Sequence, residues 1–179
     1  MKDTSTLTGN GIRTGAQYIS GLQDDREVWT QGKRIKDVTS EPGMSRGISS
    51  LAGFLDKQHE KKYQDKVTYV DEDGIRCPLS FKTPKSKQDI LDRGKAYYEW
   101  ATWSHGMFGR TPDYKNASLM SFSAARSFLD KGTVGKADFS QNMLNFYNHA
   151  RTNDQILTHT LINPSVSHKQ AAAGIYNAT

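Results

Sequence analysis

A single cysteine, Cys77, stands among the 179 residues, which excludes an internal disulfide framework and any cysteine-cluster metal site built within this chain. A reducing, cytoplasmic setting is the expectation that follows. Apolar runs are short as well: none approaches the ~18 residues of a membrane-crossing helix, so no membrane partner is expected. The opening "MKDTSTLTGNGIR" lacks the apolar core of a signal peptide and reads as a flexible tail over residues 1–13. The zinc-protease HExxH, a paired CxxC and the GxxxxGK(S/T) phosphate loop are all missing. Zincins and P-loop proteins are therefore unsupported, and no metal site is expected. Neither an internal repeat nor a low-complexity tract is present.

What the chain does have is enough apolar surface to fold. Hydrophobic residues make up 35%, with three Trp, eight Tyr and seven Phe, so a packed domain rather than disorder is expected. The net charge of +5 arises from 24 Lys+Arg against 19 Asp+Glu. Its densest basic run, Lys57 to Lys66, also carries Glu60 and Asp65. Without a basic helix or an aromatic-interleaved motif, that charge gives no reason to expect a nucleic-acid partner.

Periodicity organises the chain into short helices and hairpins. "TGAQYISGLQDD" offers Thr14 as a cap, with Ala16, Ile19 and Leu22 along one narrow stripe. "REVWTQGKRIKDV" alternates on both sides of Gln31 and Gly32, so Val28 and Trp29 are expected to pair with Ile35 and Val38. After Pro42, Met44, Ile48, Leu51, Phe54 and Leu55 mark a packed helix with a solvated Lys/Glu end, and "KVTYVDEDGIRCPLSF" reads as a second hairpin with Pro78 on an edge. Ser86 and Asp89 cap the longest helix, whose stripe of Ile90, Tyr97, Ala101 and Ser104 runs to Gly106. Two further helices are expected: residues 116–130 through Leu119, Met120, Ser123 and Phe128, and residues 138–153 through Met143, Phe146, Tyr147 and Ala150. "QILTHTLINPSVSHKQ" then turns β-branched and apolar, which predicts a strand and the start of an incomplete β domain over 154–179, after a helical domain over 14–153.

Two polar constellations stand out. In "GRTPDYK", Gly109 and Pro112 interrupt regular structure, and Arg110 and Tyr114 project from a constrained loop. A planar guanidinium and a hydroxyl that both gives and accepts suit an anionic or phenolic oxygen. An Arg110–Asp113 surface ion pair beside a packed tyrosine accounts for the same residues. His159, inside "ILTHTLI", is either a satisfied core histidine or a base facing a ligand.

The blocks "TGAQYISGLQDDREVWTQGKRIKDVTSEP", "FKTPKSKQDILDRGKAYYEWATWSHGMFGRTPDYK" and "NDQILTHTLINP", in this order, resemble the N-terminal region of the 4-hydroxyphenylacetate 3-hydroxylase family, from Arg13 to Pro164. These are oxygenase components of two-component aromatic monooxygenases. The resemblance implies a mainly α, acyl-CoA dehydrogenase-like helical domain followed by the start of a β-barrel, within a longer, homotetrameric protein. It implies FAD as cofactor, used as FADH2 supplied by a separate flavin reductase, with O2 and a phenolic small molecule as substrates. Hydroxylation ortho to the phenol hydroxyl is the implied reaction. Arg110, Tyr114 and His159 would line the phenol pocket, and His159, Thr160, Leu161, Ser165, Ser167 and His168 would contact the flavin. After the proline, family members commonly carry glutamine, an asparagine or aspartate and an arginine around the flavin. Here Ser165, Ser167 and His168 take those places, so flavin affinity is expected to differ. An iron–sulfur dehydratase of the same superfamily is set aside, because Cys77 alone supplies too few cluster ligands. The substrate stays open among 4-hydroxyphenylacetate and other phenols. The isolated chain is expected to be inactive, and a non-catalytic truncated scaffold is the alternative.

Overall fold

Thr14 decides where the first helix begins. Its hydroxyl accepts from the Gln17 amide at 3.2 Å, and the Gln17 side chain accepts from the Thr14 amide at 2.8 Å, the reciprocal box that satisfies two orphan donors. A computed structural model describes residues 9–107, 112–132 and 138–158. Helix α1 (Gly15–Ser20) buries Gly15 instead of Ala16, which is exposed. The reason is close approach: a Cβ at Gly15 would lie 2.5 Å from the Ala52 carbonyl oxygen of α2 (Ser45–Lys57). The Gly15 amide also donates to Asp56 Oδ1 at 2.7 Å. Because the obstacle is backbone, Gly15→Ala is expected to cost about 1–3 kcal/mol, read as a lower thermal midpoint by circular dichroism.

Strands β1 (Val28–Thr30) and β2 (Lys33–Ile35) form the first hairpin. Gln31 and Gly32 both take positive φ, 48° and 75°, the primed two-residue turn that matches strand twist. That turn sets the register: Val28 faces Ile35 as expected, but Trp29 faces Arg34, and Val38 lies beyond the strand.

Helix α2 buries Ala52, Phe54 and Leu55. Where the sequence suggested only a solvated charged end, Gln58 is fully buried and α3 (Lys61–Val67) follows. The basic run of 57–66 lies over aromatic rings. Lys57 Nζ is 5.4 Å from the Tyr63 ring centroid and 5.5 Å from that of Trp103, and Lys62 Nζ is 4.6 Å from Tyr63. Strands β3 (Thr68–Val70) and β4 (Arg76–Pro78) pair antiparallel, with Pro78 at the end of the ladder, where its missing donor costs least. A 3-10 turn, Leu79–Phe81, follows and is wholly buried.

Helix α4 (Lys87–Trp103) starts at the expected cap. Ser86 Oγ accepts from the Asp89 amide, and Asp89 takes Lys82 Nζ at 2.5 Å. Its inward stripe keeps Ser104 from the expected one but otherwise differs: Ala96 and Trp100 are buried, whereas Ile90 is 60% exposed and Ala101 is exposed. The indole has more area to remove from water, and Trp100 packs edge-on against Phe54, centroids 6.0 Å apart. The remaining helices are α5 (Pro112–Ala124) and α6 (Phe139–Thr152), the latter capped by Asp138 accepting from the Gln141 amide at 2.8 Å. Leu119, Met120 and Ser123 are buried, but a 3-10 turn, Arg126–Gly132, ends the α-helical path, and Phe128 is 86% exposed.

Two packed clusters meet at the Leu79–Phe81 turn. Phe81 joins Leu119, Met120, Tyr147 and Ala150, while Leu79 joins Val67 and Ala96. Buried hydrogen bonds lock the seam: Tyr147 Oη donates to the Phe81 carbonyl at 2.6 Å, and Asn116 Nδ2 to Ser80 Oγ at 3.0 Å. Among the described residues the architecture is mainly helical with two two-stranded sheets. Gly9 to Arg13, read as tail, are instead tied down: the Gly9 amide donates to Thr152 Oγ1, that of Gly11 to the Thr152 carbonyl and that of Ile12 to the Arg76 carbonyl. Of the strand expected near His159, Gln155 to Thr158 are described and form none. The rest lies outside the described residues, as do residues 1–8. Among the described residues no helix is long and apolar enough to cross a membrane.

Candidate functional site

The "GRTPDYK" block is a helix start. Pro112 is the first residue of α5, where its fixed φ suits the helix and its missing amide leaves nothing unsatisfied. Tyr114 therefore sits in the first helical turn, not in a loop, and is 48% exposed. Two residues on, Asn116 is buried and bound to Ser80, which pins the inner side of this turn. Lys115 Nζ lies 5.2 Å from the Tyr114 ring centroid. Arg110 and the side chain of Asp113, its partner in the surface ion-pair alternative, lie outside the described residues.

The chain that leads to His159 is held by the same core. Helix α6 ends in a left-handed residue, Asp154, with φ 44°, and the Gln155 amide closes back on the Ala150 carbonyl at 2.9 Å. Leu157 then packs against the cluster that contains Leu119 and Met120 of α5. What the structure brings together is thus the anchor of Tyr114 and the anchor of the approach to His159. His159, Thr160, Leu161, Ser165, Ser167 and His168 themselves lie outside the described residues.

Sequence reasoning missed two polar groupings. Asp154, 4% exposed, accepts on Oδ2 from the Arg13 amide at 3.1 Å and from Gln58 Nε2 at 2.9 Å. Burial raises its pKa, against the pull of those bonds. Its partners are remote in sequence, so only an aspartate at the end of a helix pattern hinted at it. The second grouping centres on Arg151, whose guanidinium donates to Asp71 and reaches Tyr69 Oη at 3.4 Å and Cys77 Sγ at 3.7 Å. Burial pushes the Cys77 thiol up to about 12, which leaves it an unreactive thiol at neutral pH. A cleft of about 470 Å³ lies beside this pair, lined by Tyr69, Lys82, Lys85, Asp89 and Arg151. Its charges pair with one another, Lys82 with Asp89 and Lys85 with Glu72. An apolar cleft of about 750 Å³ runs between α4 and α5 past Ile90, Tyr97, Met120 and Ala124. Neither is lined by Tyr114. No group of His, Cys, Asp and Glu that could hold a metal occurs among the described residues.

Comparison with known proteins bears on this arrangement. The oxygenase component of 4-hydroxyphenylacetate 3-monooxygenase from Thermus thermophilus is 36% identical over 163 residues, covering 90% of this chain and 32% of that protein. The oxygenase component of a Rhodococcus 4-nitrophenol 2-monooxygenase is 31% identical, covering 91% and 31%. The chain thus spans about a third of the length of these relatives. A crystal structure of a 4-hydroxyphenylacetate 3-monooxygenase oxygenase component, complexed with FAD and 4-hydroxyphenylacetate, superposes with a TM-score of 0.80 at 36% identity. It covers 90% of this chain and 33% of that one. The fold is accordingly the acyl-CoA dehydrogenase-like one that the resemblance implied. The family profile described as 4-hydroxyphenylacetate 3-hydroxylase N terminal matches residues 14–177, and the chain belongs to that family.

Proposed function

We propose that this chain forms the phenol- and flavin-facing part of a cytoplasmic, homotetrameric aromatic monooxygenase that hydroxylates a 4-hydroxyphenylacetate-like substrate ortho to its hydroxyl. The observation that carries this reading is the shared core: α5, which begins in the "GRTPDY" block, and the segment leading to His159 are anchored on one cluster. The residues fit such a site. Tyr114 is nearly half exposed while Asn116 holds the opposite side of the turn inward. A guanidinium, an imidazole and a phenol hydroxyl suit a phenolate oxygen.

FAD, delivered reduced by a flavin reductase, supplies the activated oxygen from O2. The chain's own task is to prepare the ring. A free phenol has a pKa near ~10, so at neutral pH its ring is weakly nucleophilic. Arg110 provides a fixed positive charge for the phenolate oxygen, His159 accepts the phenol proton, and Tyr114 adds a hydrogen bond that orients the ring. The backbone of His159 to Leu161, with Ser165, Ser167 and His168, holds the flavin.

The test is Arg110→Ala in the complete enzyme, supplied with reduced FAD, O2 and a panel of phenols. Loss of about 10²–10⁴ in kcat/KM is expected, with flavin binding largely kept. Unchanged turnover in that variant overturns the assignment.

A further inference from the structure

Helix α6 ends in a Schellman motif. The Gln155 amide bonds back to the Ala150 carbonyl at 2.9 Å, and the residue between the cap and Gln155 is left-handed. Glycine is the usual occupant of that place, because a Cβ is strained there. This chain has Asp154, and its side chain explains the choice. Oδ2 accepts from the Arg13 amide and from Gln58 Nε2, which comes from the residue that caps α2. The Asp154 carbonyl accepts twice more, from Arg13 Nε at 3.0 Å and Nη2 at 2.8 Å. Arg13 is held in turn: its guanidinium lies 5.6 Å from the Tyr18 ring centroid, and its carbonyl lies 3.1 Å from His59 Nε2. One residue thus joins the N-terminal segment, the end of α2 and the end of α6, immediately before the chain departs for His159.

We infer that Asp154 is a positioning residue, whose clasp with Arg13 and Gln58 sets the direction in which Gln155 to Thr158 leave α6 and so seats Leu157 on the cluster that holds Leu119 and Met120 of α5. Helical propensity alone leaves that exit angle open, since a glycine at the same place would close the motif and keep its carbonyl on the Arg13 guanidinium, but would lack the carboxylate that binds the Arg13 amide and Gln58. The inference rests on the proposed function only for what the aimed segment does. The clasp itself is independent of flavin or phenol.

The test uses the full chain with spin labels at Ser121→Cys on α5 and Thr158→Cys before His159, both exposed positions. Cys77, at 0% exposure, is closed to the label. Distance distributions are measured by pulsed electron spin resonance, with helicity checked by circular dichroism. A single narrow distribution is expected without further change. Asp154→Gly, which relieves the backbone while removing the carboxylate's bonds to the Arg13 amide and to Gln58, is expected to broaden it at least twofold. Asp154→Asn, which tolerates the left-handed conformation and keeps an acceptor oxygen, is expected to restore it. Arg13→Ala keeps the amide that Asp154 Oδ2 binds but takes the guanidinium from the Asp154 carbonyl, so it removes the other half of the clasp and is also expected to broaden the distribution, and the inference is read even if the glycine variant loses helix. A narrow distribution in a folded Asp154→Gly or Arg13→Ala chain overturns the inference. FAD titration of the chain separates the two readings: absent binding with an intact clasp counts against the proposed function alone.

Discussion

Replacing Phe81 with alanine is expected to lower the unfolding free energy by about 3–5 kcal/mol. The ring is 0% exposed and sits at the meeting of three elements: Leu119 and Met120 of α5, Tyr147 and Ala150 of α6, and the Leu79–Phe81 turn that carries it. Its centroid lies 6.4 Å from that of Tyr147, in an edge-to-face arrangement. Truncation leaves a cavity that the neighbours are poorly placed to fill, because Tyr147 is held by its bond to the Phe81 carbonyl and Asn116 by Ser80. Urea denaturation checks this, with the midpoint falling at nearly constant slope. Phe128→Ala is the control, since that ring is 86% exposed and its loss is expected to change little. A loss below about 1 kcal/mol for Phe81→Ala would contradict the packing described. The consequence reaches the site, because the first turn of α5 and the approach to His159 both rest on this cluster.

Arg151→Met is the second large effect, expected at about 3 kcal/mol, because it strands a buried carboxylate. The side chains of Arg151 and Asp71 are only 12% and 7% exposed. Once the guanidinium is gone, Asp71 keeps backbone donors from Ile75 at 2.8 Å and Asp73 at 3.0 Å, but no opposite charge. Adding Asp71→Asn preserves an acceptor for that turn without the charge, and the double variant is expected to recover more than half of the loss. No recovery would mean that the arginine acts through packing on Tyr147 rather than through charge. The pH dependence has a definite sign. Burial raises the Asp71 pKa, but the Ile75 amide and the Arg151 guanidinium outweigh it, so the folded value lies below the ordinary one. The resulting stability is present above the unfolded pKa of ~3.9 and is lost as pH falls through the folded value. The gap between wild type and Arg151→Met is therefore expected to narrow below about pH 4.

Several features were legible because their causes lie within a few residues. The caps at Thr14 and Ser86 each bond an amide three residues on, and Gln31 and Gly32 take the positive φ that their turn demands. The "GRTPDYK" and "LTHTL" blocks were legible for a different reason: as strings they carry a family's signature, whatever their neighbours in space. Elsewhere, local pattern misled. The α4 stripe through Ile90 gave way to Ala96 and Trp100, because burying the indole against Phe54 was decided by a partner on α2. Phe128, apolar and in helical register, ended exposed beyond the last turn of α5. Helix α3 went unread because its polar residues outnumber the one it buries, Val67.

By itself, the sequence determined where α1 and α4 start, how the first hairpin turns, and which family the chain resembles, since capping and turn bonds close over short spans. Tertiary structure alone decided which helix faces are buried, that the N-terminal segment is anchored, and that Asp154 joins Arg13 across 141 positions. Those outcomes depend on area removed from water and on polar groups that must find partners once buried, and the partners come from wherever packing brings the chain together.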